Sequence, residues 1–170
     1  TVFADGDLGG TANATATSTA TAVAAGVWAG GGNNTIANVG SLAVRAMPTA
    51  KAATEVSGGK ICITLPFNLG KWCGSGGDGT GTSNATFTAD AAGIYVGDGS
   101  NHITNAGTID VLAAPEPDGP SAAVSGATKP ATLNTDVSSV ATGIRTGNGN
   151  NTVVNETGGV ITVEARALPT

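Results

Sequence analysis

The 170-residue sequence predicts an all-β fold, a parallel β-solenoid (β-helix) of about three stacked coils with two inserted loops. Three observations carry this. Three segments repeat one another, apolar residues alternate with period two inside each, and large side chains are scarce. Charged residues make up 11% and aromatic residues 4%, so the core must be thin, built from small and β-branched side chains between close strands.

The repeats align residue by residue. The first, AGVWAGGGNNTIANVGSLAVRA, starts at Ala25, the second, AGIYVGDGSNHITNAGTIDVLA, at Ala92, and the third, TGIRTGNGNNTVVNETGGVITVEA, at Thr142 with two extra residues before its last strand. The repeat cores are therefore residues 25–46, 92–113 and 142–165. Composition does not split into unlike halves, and the chain reads as a single domain, 1–170. The intervals 47–83 and 114–130 hold most of the proline and read as loop insertions, because proline interrupts a strand ladder.

Each element has its own justification. In the last strand of each repeat, Leu42, Val44 and Ala46, then Ile109, Val111 and Ala113, then Ile161, Val163 and Ala165 share the inward face. Upstream, Val27, Ile94 and Ile144 point in, whereas Trp28, Tyr95 and Arg145 point out. Two asparagines per repeat fall on or near the core side: Asn34, Asn101 and Asn151, and Asn38, Asn105 and Asn155. A lone buried amide costs about 1–3 kcal/mol, but identical positions stacked about 4.8 Å apart can bond to one another as a ladder. Gly30, Gly97 and Gly147, with Gly32, Gly99 and Gly149, mark a corner that needs positive φ or close backbone approach.

These segments resemble the repeats of bacterial surface proteins with parallel β-helix regions, of the autotransporter-passenger and adhesin type. The resemblance covers roughly half the chain and implies export to the bacterial cell surface or beyond. It implies no single activity.

Candidate chemistry is sparse. Cys62 and Cys73 flank a reversal around residues 66–70 and are expected to form a disulfide, with two buried thiols as the alternative. No cofactor is expected. The turns GGGNN, GDGSN and GNGNN are similar to calcium-binding β-roll turns, yet Asn34, Asn101 and Asn151 stand where carboxylates are needed, leaving calcium the weaker reading. The acidic residues are dispersed, and His102 aligns with Thr35 and Thr152, so no nucleophile, base and orienting acid assemble and no enzyme is expected. A net charge of -5 with seven scattered Lys and Arg residues argues against nucleic acid. No apolar run approaches the roughly 20 residues that cross a bilayer as a helix, so this chain is not expected to insert. Its first residues lack the pattern of a signal peptide.

The run Thr15, Thr17, Thr19 and Thr21 raises a threonine face that orders water. Later segments keep it in part, with Thr86 and Thr88, then Thr132 and Thr135, so a regular two-dimensional array is not expected. The leading expectation is a subunit or segment of an extracellular filament or fibrous surface protein, because a short solenoid leaves a strand edge open at each end. Its partner is itself, with the segments TVFADGDLGG and EARALPT available as added strands. The alternative is a monomeric adhesin that binds host or cell-surface glycan on Trp28 and Tyr95.

Overall fold

The structure, a computed structural model, describes residues 2–6, 12–58, 60–64, 71–75, 79–116, 121–125 and 131–167, and every regular element among them is a β-strand. The strands fall into three successive tiers. The first holds β1 (Val2–Gly6), β2 (Ala12–Ala29), β3 (Thr35–Asn38) and β4 (Ser41–Ala46). The second holds β5 (Ala53–Gly58), a hairpin of β6 (Lys60–Thr64) and β7 (Lys71–Ser75), then β8 (Gly79–Val96), β9 (His102–Asn105) and β10 (Thr108–Ala113). The third holds β11 (Ser121–Ser125), β12 (Thr132–Thr146), β13 (Thr152–Asn155) and β14 (Val160–Ala165).

Each tier gives one strand to each of four parallel, three-stranded sheets, β1-β5-β11, β2-β8-β12, β3-β9-β13 and β4-β10-β14, with the second tier always central. Register follows the sequence repeat: Val27, Ile94 and Ile144 align, as do Ile36, Ile103 and Val153, and Leu42, Ile109 and Ile161. The two extra residues of the third repeat are absorbed in a turn in which Gly159 N–H bonds Glu156 C=O at 2.9 Å, after which Val160 rejoins the ladder.

The two intervals expected to be loops differ from that expectation. Segments 47–83 and 114–130 supply β5 and β11, which complete the fourth sheet with β1. Neither strand contains proline: Pro48 and Pro115 precede them and are buried, and the stack continues through Ala114 N–H to Ala46 C=O (3.0 Å) and Glu116 N–H to Pro48 C=O (3.2 Å). Among the described strands, those outside the parallel sheets are the antiparallel hairpin β6–β7, whose register sets Cys62 opposite Cys73. The cysteine side chains lie outside the described residues. The terminal segments are also used within the chain: β1 pairs with β5, and Arg166 N–H bonds Ala113 C=O at 2.9 Å.

The long sheet β2-β8-β12 forms one layer, and the other sheets pack along it. Its carboxy-terminal half meets β4-β10-β14 over a core of Ala89, Ala91, Ile94, Val96, Ile103, Ile109 and Val111, all 0% exposed. Its amino-terminal half meets the second-tier segment 52–56 over Ala12, Ala14, Ala16, Ala85, Phe87, Ala52 and Val56. Inward positions on β8 run Ala89, Ala91, then Ile94, Val96, so the alternation slips by one at Gly93. A Cβ there would press on Ile109, and one at Gly26 or Gly143 on Leu42 or Ile161, so this glycine column lets the opposing layer reach the backbone.

The outward face of the same sheet carries columns fixed by register. They are Thr15, Thr82 and Thr132; Thr17, Asn84 and Asn134; Thr19, Thr86 and Asp136; and Thr21, Thr88 and Ser138. Threonine thus fills eight of the twelve positions, seven of them on the first two tiers, while the third tier keeps only Thr132. Thr82, expected in a loop, belongs to this set, whereas Thr135 pairs with the buried Ala85 and falls in an inward column.

Candidate functional site

The corner between β2 and β3, repeated in every tier, is built from glycine and asparagine. Gly32, Gly99 and Gly149 have φ of 108°, 134° and 120°, a conformation L side chains avoid, and this turn sets the asparagine two residues on toward the inside. Asn34 donates through Nδ2 to Asn101 Oδ1 (2.8 Å), and Asn101 likewise to Asn151 Oδ1 (2.7 Å). A second ladder runs from Asn38 to Asn105 and from Asn105 to Asn155, both at 2.7 Å. All six asparagines singled out by the sequence are thus joined, and Asn101 and Asn105 are 2% and 0% exposed. In the first ladder the remaining amide hydrogens go to turn carbonyls, as from Asn101 to Gly97 (3.1 Å) and from Asn151 to Gly147 (3.0 Å).

Both ladders have a direction. Every inter-tier bond runs from donor in the lower-numbered tier to acceptor in the next. At the third tier, Asn151 donates only within its own turn, to Gly147 and Gly149, and so lacks the inter-tier acceptor that Asn34 and Asn101 have. The same end exposes apolar side chains at inward register positions: Val153 is 47%, Ile161 37% and Val163 44% exposed, where the central-tier Ile103, Ile109 and Val111 are all 0%.

A second feature lies on the outer face just past the glycine bend. Trp28, Tyr95 and Arg145 stack in register, with the two ring centroids 4.5 Å apart and the planes inclined by 31°. Arg145 also pairs with Asp90 (Nη1–Oδ2 3.4 Å), and Val23 closes the far side of a notch of about 170 Å³. The sequence marked Trp28 and Tyr95. Asp90 was readable only once register placed it beside them.

Charges elsewhere serve the stack. Asp98, the one carboxylate at the glycine corners, accepts the Asn148 N–H at 2.7 Å, and Asn33 Oδ1 accepts the Ser100 N–H at 3.0 Å. Arg45 bonds Asp110 across tiers (3.0 Å), an exposed pair of the kind worth about 0–1 kcal/mol. Arg166 hydrogen-bonds Glu164 and holds its carboxyl below the usual range. That pair assists folding above the ordinary carboxylate range and loses its effect as pH falls through the lowered value. Among the described residues no three His, Cys, Asp or Glu side chains gather as a metal-holding group, and no helix is long and apolar enough to cross a membrane. No protein-family model matches the chain, and neither a curated protein nor a solved structure matches it.

Proposed function

We propose that the four sheets are the faces of one parallel β-solenoid, and that the chain is a structural subunit or segment of a bacterial extracellular filament or fibrous cell-surface protein. Its growth mechanism is end-to-end strand pairing and its role is non-catalytic. The observation that carries this reading is the third-tier end, where inward aliphatic positions stand open and the asparagine ladder lacks its next acceptor. The first tier of a second copy supplies both needs. It offers the Asn34 amide oxygen for Asn151 and places Ile36, Leu42 and Val44 over Val153, Ile161 and Val163 by the same register that joins the tiers within one chain. Such a contact is head to tail and does not close, so it propagates.

Sedimentation of the purified chain over a micromolar concentration series tests this. Wild type is expected to form growing assemblies, and Val163→Lys, which sets an ammonium in the joint, is expected to stay monomeric. A wild-type chain that remains monomeric across the series overturns the proposal.

A second reading is supported by the notch beside Trp28. Two stacked rings beside an Arg–Asp pair suit a sugar, with apolar ring faces below and hydrogen-bonding groups at the rim. On that reading the chain is a glycan-binding adhesin segment, and Trp28→Ala abolishes retention on immobilised cell-surface glycan while leaving sedimentation unchanged.

A further inference from the structure

We propose that the outward face of the β2-β8-β12 sheet binds ice, a ligand whose recognition needs a repeating lattice of hydroxyls and methyls and not a pocket. The inference is independent of end-to-end assembly. Of the twelve positions in the four aligned columns, threonine occupies three, one, two and two in turn, eight in all, and the others are Ser138, Asn84, Asn134 and Asp136. No aromatic ring, cation or long side chain interrupts the grid.

The backbone fixes its spacing. Alternate residues on a strand lie about 6.6 Å apart and neighbouring tiers about 4.8 Å apart, so the hydroxyls form a rectangular net. Threonine is stiff at χ1, and each hydroxyl and methyl is therefore placed before any ligand arrives. The hydroxyls are also unspent: among the described residues the side-chain hydrogen bond within the grid is Asn134 Nδ2 to Asn84 Oδ1 (2.8 Å), and no threonine hydroxyl on it is held by another protein group.

Strand preference for β-branched residues does not by itself account for the face. The outward columns of the opposing layer, Ser41, Thr108 and Val160, then Ala43, Asp110 and Thr162, then Arg45, Leu112 and Glu164, are each mixed, and Asp110 is tied up by Arg45. The threonine-rich set lies on one sheet and is densest on its first two tiers, where seven of eight positions are threonine. Many equivalent weak contacts at regular spacing gain strength only against a ligand with matching periodicity, where each bound site holds the next in place. Ordered water is that ligand. A crystalline polysaccharide also repeats, but it is gripped by aromatic stacking, and the outward rings of this sheet, Trp28 and Tyr95, lie beyond the glycine bend and outside the grid.

The test grows ice slowly from a dilute solution of the purified chain and measures the fraction incorporated, together with the gap between melting and freezing temperatures. Wild type is expected to enter the ice and open a gap. Thr86→Tyr, at the centre of the grid, is expected to lose both effects, whereas Ala43→Tyr on the opposing layer keeps both, with circular dichroism confirming that each variant retains its strands. Should Thr86→Tyr fail to fold, Thr19→Lys on the exposed first tier takes its place with the same expected loss. Wild type left behind in the liquid, including a chain that binds chitin or cellulose powder instead, overturns the proposal. So does incorporation of a folded Thr86→Tyr or Thr19→Lys at the wild-type level.

Discussion

Asn105 shows how one side chain can stabilise the stack only because its counterparts exist above and below. It is 0% exposed, accepts from Asn38 and donates to Asn155, both at 2.7 Å. Replacing it by alanine removes the acceptor of the Asn38 amide and the donor to the exposed Asn155 Oδ1, and breaks the ladder at its fully buried tier. Denaturant melts are expected to show a loss of about 2–4 kcal/mol for Asn105→Ala, and about 1–3 kcal/mol for Asn38→Ala, which leaves the buried Asn105 Oδ1 without its donor. Glycines at the corner give a second comparison. Gly32 and Gly99 share positive φ (108° and 134°), yet a Cβ at Gly32 meets open space while one at Gly99 collides with the Gly32 carbonyl. Gly32→Ala is expected to cost about 1–3 kcal/mol from backbone strain alone, and Gly99→Ala distinctly more in the same melts. Equal losses at the two positions would show that the tiers do not press together at this corner.

The strands show how far sequence carries. β3, β4 and their counterparts were legible, because period-two apolar residues and the G-x-N spacing recur at aligned positions and survive inspection without knowledge of neighbours. The β1-β5-β11 sheet was not, since its strands are five or six residues long, lie next to proline or glycine, and share only the fragment V-S-G at Val56 and Val124. The first five residues of β8, Gly79–Ser83, were missed for a related reason: glycine usually breaks a strand, but here Gly79 and Gly81 sit on the crowded inward side against Ala12 and Ala14. Thr82, which completes the Thr15-Thr82-Thr132 column, is for that reason not legible in the sequence. Trp28 and Tyr95 could be placed together from the repeat, whereas the Asp90 beside them required the register across the glycine bend.

Within this layer Phe87 is the one large side chain in an alanine-lined core, and it is 0% exposed between Ala20 and Val137 of the flanking strands. Phe87→Ala is expected to lower stability by about 3–5 kcal/mol, measured by urea unfolding. The β6–β7 hairpin offers a further check. Directly opposed residues of an antiparallel pair have Cα atoms about 4.5–5.5 Å apart, within disulfide reach. Cys62 and Cys73 are expected to resist alkylation until reduced, and immediate labelling of both under native, oxidising conditions would rule out the cross-link.

The molecule as a whole is a stack with two unlike ends. Three tiers at about 4.8 Å each make a body only about 15 Å high, in which a single tier is covered on both sides. Stability in such a stack comes from interfaces between tiers, so in the proposed head-to-tail joint an added copy would convert an exposed end into a buried interface. The direction of the asparagine ladders and the open aliphatic positions of the third tier together favour a polar, head-to-tail joint. Diffraction from aligned assemblies of the purified chain tests this most directly. Continuous stacking predicts a reflection near 4.8 Å along the assembly axis, because every tier, within and between copies, follows the same spacing. A 4.8 Å reflection perpendicular to that axis would contradict the account, since it would mean that copies join through their sides and leave the ends uncovered.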